Sequence, residues 1–396
     1  MLKRIPRTVL ALGLVSLFMD ISSEMIHSLL PVFLIAVLHS DALFVGLIEG
    51  IAEATALITK TFSGALSDWL GKRKILVVFG YGLSTITKPF FALANSVGVV
   101  LSARFVDRIG KGIRGAPRDA LVADVTPAST RGAAYGLRQS LDTVGAFLGP
   151  TLAMILMFAT SDDFRTVFWI AVFPGLLAVT ILLLAVKEPD TYTKQEQHRV
   201  IRFREIIALG SLYWLVVGFG FLFSLSRFSE AFLLLRAESV GVSESLIPGI
   251  LIVMNVVYAI TAYPAGYLSD RFGRTGLLAI GLGFLVVSDL VLAFSPNGWI
   301  VALGAAFWGF HLGLTQGLLS TLVADTAQAN LRATAFGIFN LASGIALLIA
   351  NLIAGELWDL IGASSTFFTG AFFALFALII FRIILYKLKK SNDTPL

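Results

Sequence analysis

Gly64-Ala-Leu-Ser-Asp68-Trp-Leu-Gly71-Lys72-Arg73-Lys74 returns about two hundred residues later as Gly266-Tyr-Leu-Ser-Asp270-Arg-Phe-Gly273-Arg274. A second stretch repeats at nearly the same offset. Leu121-Val-Ala-Asp124, followed by Arg131 and Gly136, recurs as Leu322-Val-Ala-Asp325, followed by Arg332 and Gly337. Two matches at one spacing mark an internal duplication. Each copy is bordered by apolar runs of roughly twenty residues, and at about 1.5 Å rise per residue such a run spans the roughly 30 Å hydrocarbon core of a bilayer.

The rest of the chain follows the same pattern. Of 396 residues, 57% are hydrophobic and 14% charged, against the roughly 25% charge of a soluble domain. Windows of about nineteen residues place spans near 8–37, 43–67, 75–94, 98–120, 131–157 and 164–186. After a polar stretch come 206–235, 245–269, 276–294, 298–323, 332–358 and 365–386. The expected fold is all-α and membrane-embedded, with twelve transmembrane helices in two pseudo-symmetric six-helix bundles, 1–186 and 206–396, tethered by a cytoplasmic linker at 187–205. The apolar run after Lys3, Arg4 and Arg7 is too long for a signal peptide and is read as a retained first helix.

Lysines and arginines set the orientation. They crowd into 1–7, 68–74, 187–204, 271–275 and 387–396, whereas the opposite loops offer only Arg165 and Arg236. The positive-inside rule then puts both termini and the linker in the cytoplasm of a cell membrane, by expectation a bacterial inner membrane. The net charge of +5 is accounted for by this asymmetry, and no nucleic-acid partner is expected.

In these motifs the chain resembles the major facilitator superfamily of secondary transporters. The Gly-x-x-x-Asp-x-x-Gly-Lys-Arg-Lys run carries most of the likeness, and its copy in the second half adds to it. Arg104-Phe-Val-Asp107-Arg108-Ile-Gly110 is similar to the family's Arg-x-x-Gln-Gly-x-Gly pattern, with Asp107 and Arg108 as departures. Gly145-Ala-Phe-Leu-Gly149-Pro150 resembles the motif of the proton-coupled drug and metabolite exporters. The resemblance implies alternating access by a protein that needs no cofactor or metal and acts as a monomer on a small-molecule substrate. The coupling ion is expected to be the proton, with sodium as the alternative.

Charges inside the spans supply the candidate residues, because ionisable groups at bilayer depth are costly and line cavities or pair with one another. The fourth span carries Arg104, Asp107, Arg108, Lys111, Arg114 and Arg118 along one side of the helix, so that side must face inward. Arg104 and Arg108 are candidate substrate contacts, favouring a solute with an anionic group or a zwitterion. Glu49 and Glu53, and Arg227 and Glu230 of the seventh span, are further binding candidates. Asp20-Ile-Ser-Ser-Glu24 sets two carboxylates one turn apart among hydroxyls, the candidates for proton coupling. Asp68, Lys72 and Arg73, their counterparts Asp270 and Arg274, and Arg118, Gly145, Gly149 and Pro150 are candidate gating residues. At such a helix end a carboxylate can pair with an arginine or accept from a neighbouring helix N-terminus.

Other chemistries lack residues. Without cysteine there is no disulfide or thiolate. Gly110-Lys-Gly112-Ile-Arg-Gly115 matches a dinucleotide-binding pattern but lies in a span and not after a strand. Neither a phosphate-binding Gly-x-x-x-x-Gly-Lys-Ser/Thr loop nor His-Glu-x-x-His occurs, so no enzyme is expected. Non-transporting reception and import are the competing readings to export. The orientation is tested by single cysteines: replacements at Ser161 and Ser243 label from outside the cell, and one at Lys194 labels only after permeabilisation. External labelling at 194 overturns the assignment.

Overall fold

Helix α1 (Arg7–His27) stops where Pro31 prevents its continuation, since proline offers no N–H to the His27 carbonyl and its ring collides with it. The chain turns at Ser28 and Leu29 and resumes as the short helix Leu30–Val32 and a π turn, Phe33–Val37. This computed structural model describes residues 6–188, 209–272, 274–315, 318–327 and 331–392. The first half continues with α2 (Ala42–Leu70), α3 (Arg73–Leu93), α4 (Val97–Asp124), α5 (Arg131–Ala159) and α6 (Phe164–Ala185). The second half holds α7 (Ser211–Leu225), α8 (Pro248–Phe272), α9 (Arg274–Ala293), α10 (Gly298–Thr315), α11 (Arg332–Leu360) and α12 (Ala363–Asn392). Short helices Ala231–Ser239 and Leu318–Thr326 follow α7 and α10. No strand occurs among the described residues. The linker expected at 187–205 lies outside them from residue 189 onward.

Local chemistry fixes the ends. Gly71 takes a φ of +61° between α2 and α3, a left-handed turn that a side chain would strain, and its N–H reaches back to the Ser67 carbonyl at 3.1 Å. Asp163 caps α6: its carboxylate accepts from the N–H groups of Arg165 at 3.0 Å and Thr166 at 3.3 Å, and from the Thr166 hydroxyl.

Packing repeats as the sequence does. The most extensive helix pairs of the first half are α3 with α4, α1 with α5, α1 with α6, and α3 with α6. In the second half they are α9 with α10, α7 with α11, α7 with α12, and α9 with α12, the same four pairs six helices later. Two compact units emerge. One comprises residues 1–40, 51–199 and 243–252, the other 41–50, 200–242 and 253–396. The first has a core of Leu12, Val15, Met19, Val77, Tyr81 and Leu182, among others. The second is built around Tyr213, Val216, Phe219, Phe223, Leu282 and Phe381.

The outer faces are apolar as well. Helix α6 buries Phe164, Val167, Phe168, Ala171, Gly175, Ala178 and Leu182 at helical spacing and exposes Trp169, Phe173, Leu176, Leu183 and Leu184 on its far side. A helix apolar all round and exposed on one side is solvated by lipid. Among the described residues ten helical stretches have the length and apolarity to cross a membrane. Two more complete the expected twelve spans: α4, which is rich in charge, and the interrupted α7. The chain is an integral membrane protein.

One expected span differs. The seventh, read as unbroken over 206–235, opens between α7 and Ala231–Ser239, at residues 226–230. The break contains neither proline nor glycine. Its Ser229 N–H is satisfied from a distance, by the Asn351 side-chain oxygen of α11 at 2.7 Å.

The cap at Asp163 yields a stability test. Its hydrogen bonds, with the Thr166 hydroxyl first, hold its carboxyl below the usual range. The cap therefore stabilises the ionised form, fully above the unfolded value of about 3.9, and this contribution is lost as pH falls through the lower folded value. Asp163→Ala is expected to cost about 0.5–2 kcal/mol at neutral pH, read as a lower Tm in detergent, with the difference shrinking in acid.

Candidate functional site

Within the first unit, α1 presents Asp20, Ser23, Glu24 and His27 on one incompletely buried stripe, at the spacing of one helix face. Helix α5 reaches this region because it lacks side chains where the two helices meet. A Cβ on Gly145 would lie 2.8 Å from the Leu17 carbonyl oxygen and 2.9 Å from the Asp20 Cβ. One on Gly149 would lie 2.5 Å from the Glu24 Cβ. The glycine pair, with Pro150 buried beside it, thus packs α5 directly against the two acids. Among the described residues neither Asp20 nor Glu24 forms an ion pair.

Across from them α3 and α4 bury a dense set of charges. Lys88 is 2% exposed, Arg104 2%, and Asp107 and Arg108 3% each. Lys88 pairs with the Asp107 carboxylate at 3.3 Å and donates to the Ser23 hydroxyl at 3.0 Å. Arg108 donates to His27 Nε2 at 2.5 Å, so that nitrogen carries a lone pair. The same guanidinium lies 3.7 Å from Glu53. Arg114 donates to the Ser84 hydroxyl at 2.6 Å and stacks over the Tyr81 ring. Lys111, on the same helix, remains exposed. Chemically the site sets buried guanidinium and ammonium groups beside Asp107 and Glu53, across from two acids on α1. Such a field attracts an anionic group.

The ends of these helices near Asp68 and Asp124 are tied by a second network. Arg73 bonds Asp124 at 2.7 Å and Asp68 at 3.5 Å. Glu188 caps α3 by accepting from the Arg73 and Lys74 N–H groups at 2.5 and 3.0 Å. Arg118 donates to Ser16 at 2.9 Å and to Tyr81 at 3.3 Å, and pairs with Asp119. Lys72 is exposed. The side chains of Asp270 and Arg274 lie outside the described residues.

Glu49 and Glu53 lie one turn apart on α2. Glu53 meets Arg108 in the first unit, while buried Glu49 accepts from the Ser229 hydroxyl at 3.4 Å in the second. Arg227 and Glu230 both lie in the break after α7, with the Arg227 guanidinium 5.7 Å over the Phe223 ring. Asp359 of α11 caps α2, accepting from the N–H groups of Ala42 and Leu43 at 3.0 and 2.8 Å. Sequence reasoning missed Lys88, His27 and Asp359. A lysine inside the apolar run of the third span was the available signal for Lys88; nothing local announces a partner 317 residues away, as Asp359 has. No cluster of three or more His, Cys, Asp or Glu side chains suited to a metal ion occurs among the described residues.

Comparison with known proteins places this arrangement. The family model for the Major Facilitator Superfamily matches residues 12–236 and 217–395, and the chain belongs to that family. It is a transporter and not an enzyme. The MFS-type transporter MJ1317 of Methanocaldococcus jannaschii is 33% identical over 380 residues, covering 94% of each chain. The quinolone resistance protein NorA of Staphylococcus aureus is 24% identical over 344 residues, 83% of this chain and 84% of that one. Among solved structures, the nucleoside transporter NupG superposes with a TM-score of 0.76 at 14% identity over 95% of this chain and 99% of that one. The D-xylose–proton symporter gives 0.71 at 18%, over 95% and 96%.

Removing one member of the buried pair tests how the charges are held. Asp107→Asn leaves Lys88 buried beside the arginines without its carboxylate and is expected to cost about 3–5 kcal/mol. Adding Lys88→Met is expected to recover part of that loss in Tm, because the unpaired charge is then removed. Equal Tm for Asp107→Asn and the parent protein would mean that the pair is not what stabilises this helix contact.

Proposed function

We propose that this transporter exports a small solute bearing an anionic group, alone or in a zwitterion, in exchange for protons. The reading rests on one observation: Asp20 and Glu24, free of ion pairs, face the buried Lys88, Arg104 and Arg108. The arginines attract the anionic group, and a carboxylate not committed to a fixed partner can load and release a proton as its surroundings change. The halves 1–186 and 206–396 alternate access by rocking about the substrate site, with both termini cytoplasmic. Asp68, Arg73 and Asp124 hold the inner ends together in one state and part in the other. One chain suffices for this cycle.

Export is supported by the likeness to a quinolone resistance protein along most of the chain. Proton use accords with the fold shared with a sugar–proton symporter. That same neighbour makes proton- or sodium-driven import the competing outcome.

A thermal-shift screen of organic anions and zwitterions identifies a binding solute, and vesicle flux under an imposed pH or sodium gradient then gives direction and coupling. If Glu24 carries the proton, Glu24→Gln mimics its loaded form: the variant keeps its Tm and exchanges solute but no longer concentrates it. A fixed ion pair would instead show as a lower Tm with exchange and accumulation lost together. Asp20→Asn is measured beside it, because neighbouring acids can trade roles. Parent-like stability and driven flux in both variants would remove α1 from the coupling.

A further inference from the structure

Asp289, on α9 in the second unit, is 0% exposed, and neither of its carboxylate oxygens has a hydrogen-bond partner among the described residues. Its space is provided by Gly370 of α12. A Cβ there would lie 2.6 Å from Asp289 Oδ2 and 2.6 Å from Phe228 Cε1. Phe228 packs in turn against Trp308, tilted, and Phe367, edge-on, with ring centroids 5.5 and 5.6 Å away. Gly370 and Phe228 also line a small cavity with Leu225, Thr366, Thr369 and Phe373. Helix α10 adds two more unsatisfied atoms, the indole Nε1 of Trp308 and Nε2 of His311.

A serine bond joins the corresponding helix pair in each half. In the first half Ser84 of α3 donates to the Asp107 carbonyl of α4 at 3.2 Å. In the second half Ser288 of α9 donates to the Gly304 carbonyl of α10 at 2.7 Å. The next residue in the first half is Thr85, which turns to α6, donates to the Gly175 carbonyl at 3.2 Å and is satisfied. The next residue in the second half is Asp289, which turns to α12 at Gly370. At the 201-residue offset of Leu121 and Leu322, Asp289 stands where the first half has Lys88, so the second half carries an acid with no hydrogen-bond partner among the described residues in place of a paired cation.

The charged groups around Asp289 do not neutralise it. His311 donates from Nδ1 to the Gly281 carbonyl at 2.8 Å, since a carbonyl only accepts, and its Nε2 has no hydrogen-bond partner among the described residues. Arg227 lies over Phe223, and Glu230 closes the same break. Arg236 is engaged by the carbonyls of Leu292, Ala293 and Ser295. None of the three basic groups forms an ion pair with Asp289, and an ionised carboxylate without a partner is strongly disfavoured in such surroundings.

We infer that Asp289 is a proton-binding site of the second half, holding a proton as the neutral acid in the conformation seen here. The carboxylate takes the proton from water that enters beside Gly370 and returns it to water when the site reopens. This deepens the proton-coupled reading above and adds an acid that lies outside α1.

The test uses the full-length protein in lipid bilayers and infrared spectroscopy. At neutral pH the parent protein is expected to show the carbonyl stretch of a buried neutral carboxylic acid. The band should be absent in Asp289→Asn and in Asp289→Thr, displaced in Asp289→Glu, and lost reversibly at alkaline pH. Parent-like spectra from the Asn and Thr variants would overturn the assignment. So would a band that belongs to Asp289 but neither titrates nor exchanges with deuterium, because the group would then be a fixed structural acid. If one variant fails to fold, the displacement in Asp289→Glu decides alone. Should the band titrate while a pH gradient drives no flux in the parent protein, the proton site stands and the coupling reading falls.

Discussion

The Lys88–Asp107 ion pair, sealed between α3 and α4, is the constraint around which the first unit is arranged. A charge taken into a low-dielectric interior costs several kcal/mol unless its partner is held close and the remaining polar atoms are satisfied. The surrounding contacts meet both conditions. Ser84 fixes the Asp107 carbonyl and receives Arg114, while Ser23 of α1 takes a further proton of Lys88. None of these reach unless α3 and α4 approach closely, and Gly80 and Gly110 allow it: a Cβ on either would lie 2.6 Å from the other's carbonyl oxygen. Backbone approach and charge pairing are thus one design feature seen from two sides.

The same logic explains why polar residues can be so frequent in a helix that crosses lipid. Helix α4 is too charged to cross as an isolated apolar span. It is tolerated because its neighbours turn their hydroxyls, carboxylates and ring faces toward it, while Phe62, Phe79, Phe90 and Phe173 on other helices face outward. The interior charge and the apolar exterior are therefore distributed between different helices, and the sidedness of each helix follows from which neighbour it must satisfy.

Much of this was legible in the sequence. The duplicated Gly-x-x-x-Asp motif, the spacing of the apolar runs and the one-sided charge of the fourth span lead to an all-helical fold and to Arg104, Asp107 and Arg108 as buried residues. What was not legible depends on partners remote in sequence. The break after α7 has no proline or glycine to announce it; it persists because Asn351, 122 residues away, satisfies the freed Ser229 N–H. The caps on α2 and α3 come from Asp359 and Glu188. Glu49 and Glu53 show the limit from the other direction. Their i, i+4 spacing puts them on one helix face, yet each is claimed by a different neighbour a turn apart. Periodicity reports which face a residue shares and is silent about what meets that face.

The two halves reuse one scaffold with different polar contents, and this asymmetry bears on mechanism. The same four helix pairs pack in both halves, and a serine bond joins α3 to α4 as another joins α9 to α10, so the helix framework does not distinguish the halves. Beside that bond the first half places a cation, Lys88, paired and surrounded by arginines, whereas the second leaves Asp289 among aromatic rings. A field of fixed cations can hold an anionic group but is poorly suited to giving up charge, because each group is tied to several others. An isolated acid has the opposite character: it binds nothing strongly and changes charge with the arrival of a single proton or water. On the proposals above, anion binding and the acids of α1 lie in the first half, and Asp289 adds a proton site in the second. In the proposed cycle of alternating access, a duplicated scaffold supplies two bodies with closely similar packing, each carrying a group whose charge can change.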